Sequence, residues 1–252
     1  MKDNIYRTIT ENRSAGKKML AVLLDPDKCN GTVLNPIISS LEKNPPTFVF
    51  VGGSHTIESS NLLIENLKSK LDIPIIQFPG NATQFSENAD ALLFLSLISG
   101  RNAEFLIGQH VYSAMAVRNS GIEVIPTAYI LIDGGKNTSV QYMSNTSPIP
   151  HDKNDIAVST AVAGELLGLK LVYLEAGSGA RNPVSASMIK AVRKNINVPL
   201  IVGGGISSLE SLKSTFDAGA DLVVVGNAFE TDSEKINRFV AFTENYKPAV
   251  MF

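Results

Sequence analysis

The feature that most constrains the fold is a repeated alternation of short apolar runs with longer amphipathic stretches. Uninterrupted apolar runs are typical of strands that are buried on both faces of a parallel sheet. Eight such runs are predicted strands: Met19–Leu24, Phe48–Val51, Ile75–Phe78, Ala91–Leu95, Glu123–Ile130, Leu171–Leu174, Leu200–Val202 and Leu222–Val225.

Helical periodicity fills most of the intervals between these runs. The predicted helices include Glu58–Lys70, Ala103–Asn119, Ile156–Leu167, Ser185–Lys194, Leu209–Asp217 and Ser233–Glu244. Alternating strands and helices predict a parallel α/β fold. Eight strands in a chain of 252 residues favour a single (β/α)8 TIM barrel, with one domain spanning residues 1–252.

Two connections depart from the regular pattern. Only the segment from Pro79 to Asp90 separates the third and fourth strands, which is close to the minimum for a parallel crossover. We therefore expect a reduced or missing third helix, with a short turn or loop in its place. The second departure is the polar segment Asp133–Asn154 after strand five, and because loops of this length are usually functional or mobile, we interpret it as a lid over a substrate.

Composition excludes several classes of protein. Lys and Arg (22 residues) nearly balance Asp and Glu (24 residues), without the basic excess that is typical of nucleic-acid binding. The single cysteine, Cys29, excludes an internal disulfide framework and fits a reducing compartment. The N-terminal residues lack the apolar core of a signal peptide, and the longest apolar stretch, Ala91–Ile98, is too short to span a membrane.

We therefore expect a cytoplasmic protein without stable membrane insertion. The apolar face of the predicted helix around Ala103–Val117 favours a homo-oligomer.

Glycines follow the last two strands. The active site of a TIM barrel lies at the carboxyl ends of its strands, and the loops after strands seven and eight often bind phosphate. Gly204 and Gly205 follow strand seven, and Gly226 and Asn227 follow strand eight. Glycine lets a ligand approach the backbone closely, and free N–H groups bind anions. Ordinary tight corners are the alternative, but two adjacent glycine-rich corners at this place favour phosphate binding.

Strand six runs into a polar loop that carries a carboxylate. Glu175 is either a catalytic base whose pKa is tuned by its surroundings or a structural partner for a neighbouring Arg or backbone amide. Tyr173 and Ser178 can hydrogen-bond a polar substrate, although a tyrosine in a strand more often serves packing.

Strand one ends with Asp25 and Asp27. Their hard oxygen ligands suit Mg²⁺, which usually takes one or two carboxylates together with substrate phosphates and water. Asp25 and Ser54, at the ends of the first two strands, would be neighbours at the rim. The alternative, which the residues alone favour, is that Asp25 or Asp27 caps the following helix or forms an Asx turn.

These strand ends together resemble the geranylgeranylglyceryl phosphate synthase family, prenyltransferases of ether-lipid synthesis. The resemblance runs along nearly the whole chain, through the motifs LLDPDK, VGGS, SGRN, YLEAGSGA, VGGGI and VGN. It implies a TIM barrel with a reduced third helix. Leu23 and the AGSG loop are closer to the geranylgeranyl branch than to the heptaprenyl branch, which has Lys at the first position and a shorter YLEYSG-type loop.

The resemblance also implies roles for individual residues. Asp25 and Ser54 fall on the Mg²⁺ ligands of the family, and Glu175, with Tyr173 beside it, on the group that accepts the proton of the attacking hydroxyl. The implied substrates are sn-glycerol 1-phosphate and a prenyl diphosphate. The implied ligands of glycerol phosphate are Tyr173, Leu174, Glu175, Ala176, Gly177, Ser178, Gly179, Gly204, Gly205, Gly226 and Asn227.

Two other readings of the same residues stay open. A phosphosugar isomerase or aldolase could use the same phosphate site, because one barrel fold hosts many reactions, and Asp25 would then serve as a second acid or base. A non-catalytic sensor of phosphorylated metabolites would bind its ligand without Asp25 and turn nothing over.

Overall fold

The predicted barrel is confirmed. The computed structural model describes residues 4–247, so the ends of the predicted domain, residues 1–3 and 248–252, lie outside the described residues. All strands pair in parallel with their neighbours in chain order, and the last pairs with the first. The strands are β1 (Met19–Leu24), β2 (Phe48–Val51), β3 (Ile75–Gln77), β4 (Ala91–Leu97), β5 (Glu123–Leu131), β6 (Leu171–Glu175), β7 (Leu200–Gly203) and β8 (Leu222–Val225).

The helices surround this sheet and connect successive strands. They are α1 (Ile5–Ser14), α2 (Gly31–Lys43), α3 (Ser60–Lys68), α4 (Gln109–Ser120), α5 (Ser139–Ser144), α6 (Asn154–Leu166), α7 (Ala186–Asn195), α8 (Leu209–Asp217), α9 (Asn227–Thr231) and α10 (Glu234–Glu244). Within residues 4–247, no helix combines the length and the apolar character needed to cross a bilayer.

Alternation along each strand divides the buried side chains between two cores. On β1, Met19 and Ala21 point into the barrel, whereas Leu20 and Val22 point toward the helices. This two-sided burial is why the strands read as continuous apolar runs rather than as alternating ones.

Helix α1 closes the barrel at the amino ends of the strands. Ile5 and Ile9 are buried against the interior side chains of the barrel. The carboxylate of Glu123, at the start of β5, accepts hydrogen bonds from the N–H groups of Ile5 (2.6 Å) and Tyr6 (2.9 Å), which satisfies free donors of the first turn. The opposite end of the barrel is left open for a ligand.

The third crossover is reduced, as predicted. A single 3₁₀ turn, Ala82–Gln84, stands between β3 and β4 in place of a helix. The next predicted helix begins with a π-helical turn, Glu104–Gly108, before α4. The side chain of Gln109 ties the two segments together, because its Oε1 accepts from the Ala82 N–H (2.8 Å) and its Nε2 donates to Glu104 (2.6 Å).

The largest differences from the predicted boundaries lie in β4 and in the loop after β5. Strand β4 continues through Ser96 to Leu97, because its backbone pairs with β5 as far as Leu97 opposite Tyr129. The segment 133–154 is not a plain loop, since it contains α5 and Ile149 pairs with Ile132 beside the barrel. Backbone pairing thus determines where β4 ends and where Ile149 lies. This pairing cannot be predicted from the hydrophobicity of the side chains.

Candidate active site

Most of the predicted site residues line one cavity at the carboxyl ends of the strands, which we call the polar cavity. Its volume is about 380 Å³, within the usual range for small-molecule sites. The predicted residues on its wall are Asp25, Ser54, Tyr173, Glu175, Ser178, Gly179, Gly204, Gly205, Gly226 and Asn227. The side chains of Leu174 and Ala176 instead pack in the core between sheet and helices, so only their backbone could serve a ligand.

Glu175, the last residue of β6, is the buried acid of this cavity. Only 6% of its surface is exposed, and its Oε1 accepts a hydrogen bond of 2.6 Å from the Gly177 N–H. Burial raises the pKa of Glu175 to about 7, although the Gly177 N–H favours the charged form and lowers the pKa. A carboxyl group that titrates near neutrality can accept a proton under physiological conditions.

Tyr173 lies beside this carboxyl group. A β-carbon on Gly203 would lie 2.5 Å from the Tyr173 hydroxyl oxygen and 2.8 Å from Oε2 of Glu175, so both polar groups face the same glycine. The Tyr173 hydroxyl is buried and has no hydrogen-bond partner among residues 4–247. Burial and the nearby Glu175 raise the pKa of Tyr173 well above its ordinary value, so the hydroxyl stays a proton donor for a ligand.

Gly203, the last residue of β7, and Gly204 directly after it make room for this acid. A β-carbon on Gly204 would lie 2.5 Å from Oε1 of Glu175, and Gly204 has φ of +83°, which disfavours other residues. Sequence reasoning assigned these glycines to a ligand. The structure adds that Gly203 and Gly204 accommodate Glu175 and Tyr173 from the neighbouring strand.

Four backbone N–H groups beside the acid have no partner within residues 4–247, and we call them the amide cluster. They belong to Ser178, Gly179, Gly204 and Gly205. Ser178 is exposed and the three glycines are half-buried, and all four line the polar cavity. Free backbone N–H groups in a concave site are a recurrent anion site. Asn227 borders the cluster, and its Oδ1 accepts a hydrogen bond of 2.8 Å from the Ser178 hydroxyl.

The two aspartates after β1 have separate roles. Asp27 accepts hydrogen bonds from the N–H groups of Ile57 (2.9 Å) and Glu58 (2.7 Å), so it anchors the loop after β2. Asp25 forms an Asx turn, because its Oδ1 accepts from the Asp27 N–H (3.1 Å). The predicted Asx turn is therefore formed by one oxygen of Asp25, whereas Asp27 has a structural role that was not predicted, the anchoring of the loop after β2.

The second carboxylate oxygen of Asp25 remains for a ligand. Oδ2 would lie 3.2 Å from a β-carbon on Gly53, and its cationic neighbour, Nζ of Lys28, is 3.7 Å away and also pairs with Glu230 at 3.3 Å. Burial raises the pKa of Asp25 above its ordinary value. Across residues 4–247, no three His, Cys, Asp or Glu side chains gather into a metal cluster, so Asp25 and Ser54 provide at most part of a coordination shell.

A second cavity, which we call the apolar groove, opens where the third helix is missing. It runs between the 3₁₀ turn, β4 and α4. Its wall is mostly aliphatic and aromatic and includes Phe78, Ala82, Phe85, Leu92, Phe94, Leu95, Leu97, Phe105, His110 and Val117. His110 is a buried part of this wall, with its ring edge-on to Phe94 at 4.4 Å between ring centroids.

The polar cavity and the apolar groove meet. Five residues line both: Gly53, Ser54, Phe78, Tyr129 and Val140. The ring of Tyr173 stacks on Phe78 at 5.4 Å and meets Tyr129 edge-on at 5.3 Å between centroids. A ligand that extends along the groove would therefore reach the cavity that Tyr173 and Glu175 line.

Sequence analysis named Ser54 but missed Phe78, Tyr129 and Val140 at this junction. Tyr129 lies at the carboxyl end of β5, and that strand-end position was the available signal. Nothing in the sequence marked Phe78 or Val140 as a site residue, because their positions depend on the missing helix and on the course of segment 133–154. Arg101, in the SGRN motif, instead faces an outer cleft near Asp155 and does not reach the polar cavity.

Comparison with known proteins agrees with this geometry. Residues 9–243 match the PcrB family. The geranylgeranylglyceryl phosphate synthase of Chitinophaga pinensis is 48% identical over 237 residues, which cover 94% of each chain. The protein of the same name from Spirosoma linguale is 46% identical over 244 residues, covering 96% of this chain and 98% of its own.

Solved structures show the same likeness. The (S)-3-O-geranylgeranylglyceryl phosphate synthase of Thermoplasma acidophilum, crystallised with its substrate sn-glycerol-1-phosphate, superposes with a TM-score of 0.87 at 30% identity, covering 98% of this chain and 99% of its own. The orotidine 5'-phosphate decarboxylase of Pyrococcus horikoshii, at 16% identity and a TM-score of 0.58 over 90% of this chain and 100% of its own, shares the fold alone.

Proposed function

The chain belongs to the PcrB family, and we propose that it is a prenyltransferase that joins geranylgeranyl diphosphate to the 3-hydroxyl of sn-glycerol 1-phosphate. The products are an ether-lipid precursor and diphosphate. The relatives carry the name of this activity, and the similar Thermoplasma structure holds sn-glycerol-1-phosphate.

The single observation that carries the proposal is the junction of the polar cavity with the apolar groove. A phosphosugar enzyme needs a polar cavity with phosphate-binding amides, but it has no use for an aromatic and aliphatic groove that joins that cavity. A prenyl diphosphate needs both environments, because an apolar tail continues into a charged head. Tyr129 and Phe78 line both cavities, at the point where the allylic carbon would meet the glycerol hydroxyl.

The residues of the polar cavity suit the acceptor substrate. The amide cluster would hold the phosphate, and the Tyr173 hydroxyl would donate to the glycerol backbone. Glu175 would then accept the proton of the glycerol 3-hydroxyl, and the oxygen of that hydroxyl would form a bond to the allylic carbon. The bond between that carbon and the diphosphate oxygen breaks, and diphosphate leaves. Binding the remote phosphate tightly positions the hydroxyl without a strong protein nucleophile.

Asp25 and Ser54 fit a magnesium ion in composition. They offer a free carboxylate oxygen and a hydroxyl at one wall of the cavity, and Mg²⁺ commonly combines one or two carboxylates with substrate phosphates and water. Among residues 4–247, the half-buried carboxylate of Asp25 pairs with one cation, Lys28, at 3.7 Å, and Lys28 is shared with Glu230 at 3.3 Å. When bound, Mg²⁺ would neutralise charge on the leaving diphosphate. Asp25 and Ser54 would hold the ion at the wall of the polar cavity, which both of them line.

The test is product formation by the purified protein. Geranylgeranyl diphosphate is supplied with either enantiomer of glycerol 1-phosphate, in Mg²⁺ or in EDTA, and the ether product is detected by mass spectrometry. We expect product from sn-glycerol 1-phosphate, lost on chelation and restored by Mg²⁺. Absence of product with both enantiomers and with shorter and longer prenyl chains would contradict the proposal and return attention to phosphosugars.

Self-association is a second proposal, with its own observation. The outer face of α4 exposes Val111 (66%), Tyr112 (76%) and Met115 (63%), and an apolar patch of this kind commonly marks an interface. We expect light scattering to show more than one copy per particle. A Tyr112→Asp variant should shift the particle toward the monomer, and an unchanged mass would exclude this face.

A further inference from the structure

We propose that Lys136, from the segment 133–154, supplies the cationic contact to the phosphate of the acceptor substrate. This inference rests on the proposed function, since it assigns a residue to the phosphate side of the same site. It also gives the segment 133–154 a role, because this segment positions the ammonium group of Lys136 beside the amide cluster.

The first observation is the place of the Lys136 ammonium group. A β-carbon on Gly179 would lie 3.0 Å from Nζ of Lys136 and 3.2 Å from Nδ2 of Asn227. Gly179 belongs to the amide cluster and has φ of +64°. Two side-chain nitrogen donors thus converge on the open side of a glycine whose own N–H has no partner within residues 4–247.

The second observation is that Asn227 is oriented for this purpose. Its Oδ1 accepts the hydrogen bond from Ser178, which leaves Nδ2 as the free donor of the amide, 3.2 Å from the β-carbon position of Gly179. The group that this donor meets must accept hydrogen bonds and tolerate a neighbouring positive charge. A phosphate dianion has this chemistry, and a neutral hydroxyl lacks the charge.

The third observation is that the charge of Lys136 is not used elsewhere. Among residues 4–247, Lys136 takes part in none of the ion pairs within 4 Å. The nearest acid on its own segment, Asp133, accepts the Gly135 N–H at 2.8 Å. Lys28, the other lysine near the cavity, pairs with Asp25 and Glu230. Lys136 is therefore the lysine left for an anionic ligand. The competing cation is Arg181, which lines the polar cavity and also takes part in none of the ion pairs among residues 4–247.

The backbone holds Lys136 in place. The carbonyl oxygen of Gly134 accepts hydrogen bonds from the N–H groups of Arg181 (2.9 Å) and Asn182 (3.1 Å). A β-carbon on Gly134 would lie 2.5 Å from the Ala176 carbonyl oxygen, so the segment packs directly on the loop after β6. The long side chain of Lys136 is exposed but starts from this fixed base, so little backbone ordering is needed when the ligand binds.

Calorimetric binding of sn-glycerol 1-phosphate to the protein without prenyl substrate tests the inference. A charge-assisted hydrogen bond to phosphate predicts that Lys136→Met raises the Kd about tenfold, whereas Lys136→Arg stays within about threefold of the wild type. The matched control is Lys153→Met, at the far end of the same segment and also exposed, which should leave the Kd unchanged. In turnover, Lys136→Met should raise KM for glycerol phosphate, with little change in kcat or in KM for the prenyl diphosphate.

The outcomes separate the two proposals. If the wild type binds sn-glycerol 1-phosphate but Lys136→Met binds it equally well, Lys136 does not contact the phosphate. A rise in KM confined to the prenyl diphosphate would assign Lys136 to the other substrate and overturn the inference. Weakening by Arg181→Met in place of Lys136→Met would move the contact to Arg181. A wild type that neither binds glycerol phosphate nor forms product would contradict the proposed function itself.

Discussion

The two sides of the barrel mouth are built by opposite means. On the β6–β8 side, every helix is present, and the cavity is made by glycines that let the backbone and Glu175 approach closely. On the β3–β4 side, a helix is absent, and the groove is the space that it would have filled. One side offers N–H groups and a buried acid, and the other offers aliphatic and aromatic side chains.

This difference shows how one fold can bind ligands that combine an anionic group with an apolar chain. Backbone amides cannot move far and recognise a compact anion with little loss of entropy. An apolar chain is recognised mainly by the area that it buries, which requires length rather than precise donors. Removing a helix supplies that length without disturbing the strand ends opposite. The two sides should therefore respond separately to substitution.

We expect the largest effect from a substitution of Glu175, on the polar side of the barrel mouth. We expect Glu175→Gln to lower kcat about 10²–10⁴-fold, the usual contribution of a general base, because glutamine cannot accept the proton. Binding of sn-glycerol 1-phosphate should persist, since the amide cluster is untouched. Steady-state kinetics and calorimetry together check this, and near-normal turnover would remove Glu175 from the role.

The remaining oxygen of Asp25 gives the next largest effect. We expect Asp25→Asn to lower turnover about 10²-fold at fixed Mg²⁺, because loss of a metal ligand removes several kcal/mol of charge stabilisation, and to raise the Mg²⁺ concentration for half-maximal activity. The matched variant is Asp27→Asn, which keeps an acceptor oxygen for the N–H groups of Ile57 and Glu58 but weakens these hydrogen bonds by removing the charge. It should lower the thermal midpoint while leaving Mg²⁺ dependence unchanged. Equal Mg²⁺ dependence in both variants would argue against a metal at Asp25.

The groove side is tested by filling it. Ala82 lines the apolar groove, and its neighbour Thr83 is exposed and does not. We expect Ala82→Phe to raise KM for geranylgeranyl diphosphate about tenfold, since a few lost apolar contacts cost on the order of 1–3 kcal/mol. Thr83→Phe should have little effect. If Ala82→Phe instead weakens glycerol phosphate, the two sides are not independent.

The smallest expected effect is on stability. The pKa of Glu175 rises from an ordinary 4.5 to about 7 in the folded chain, so the folded state binds the proton more tightly. Its contribution to stability is fully present below pH 4.5 and is lost as pH rises through 7. We expect Glu175→Gln to raise the free energy of unfolding by about 1–3 kcal/mol at pH 8, with little gain at pH 4. Denaturant melts at both pH values check it, and an equal gain at both would mean that ionisation is not the cause.

Several parts of this architecture were predictable because they depend on short stretches of the sequence. The strands β1, β2 and β8 begin and end where their apolar runs do, since a strand buried on both faces needs apolar residues throughout. The reduced third crossover followed from the length of the chain between β3 and β4. Glu175 and the glycines stood out because polar and small residues at strand ends interrupt apolar runs.

Other parts could not be predicted, since they depend on contacts between distant segments. Helix α1 was not among the predicted helices, and its burial depends on Glu123 and on the open barrel end that it closes. Leu174 lies between two site residues in the chain but points to the outer core, as strand alternation requires.

The sequence by itself determined the number and order of strands, the missing helix and the chemical types at the strand ends, because hydrophobic periodicity and chain length act over a few residues. Only the tertiary structure decided which glycine makes room for which acid, that the polar cavity meets the apolar groove at Tyr129, and that Lys136 lies over Gly179. These facts depend on packing between residues far apart in the chain, and closure of the barrel is what brings them within a few ångströms.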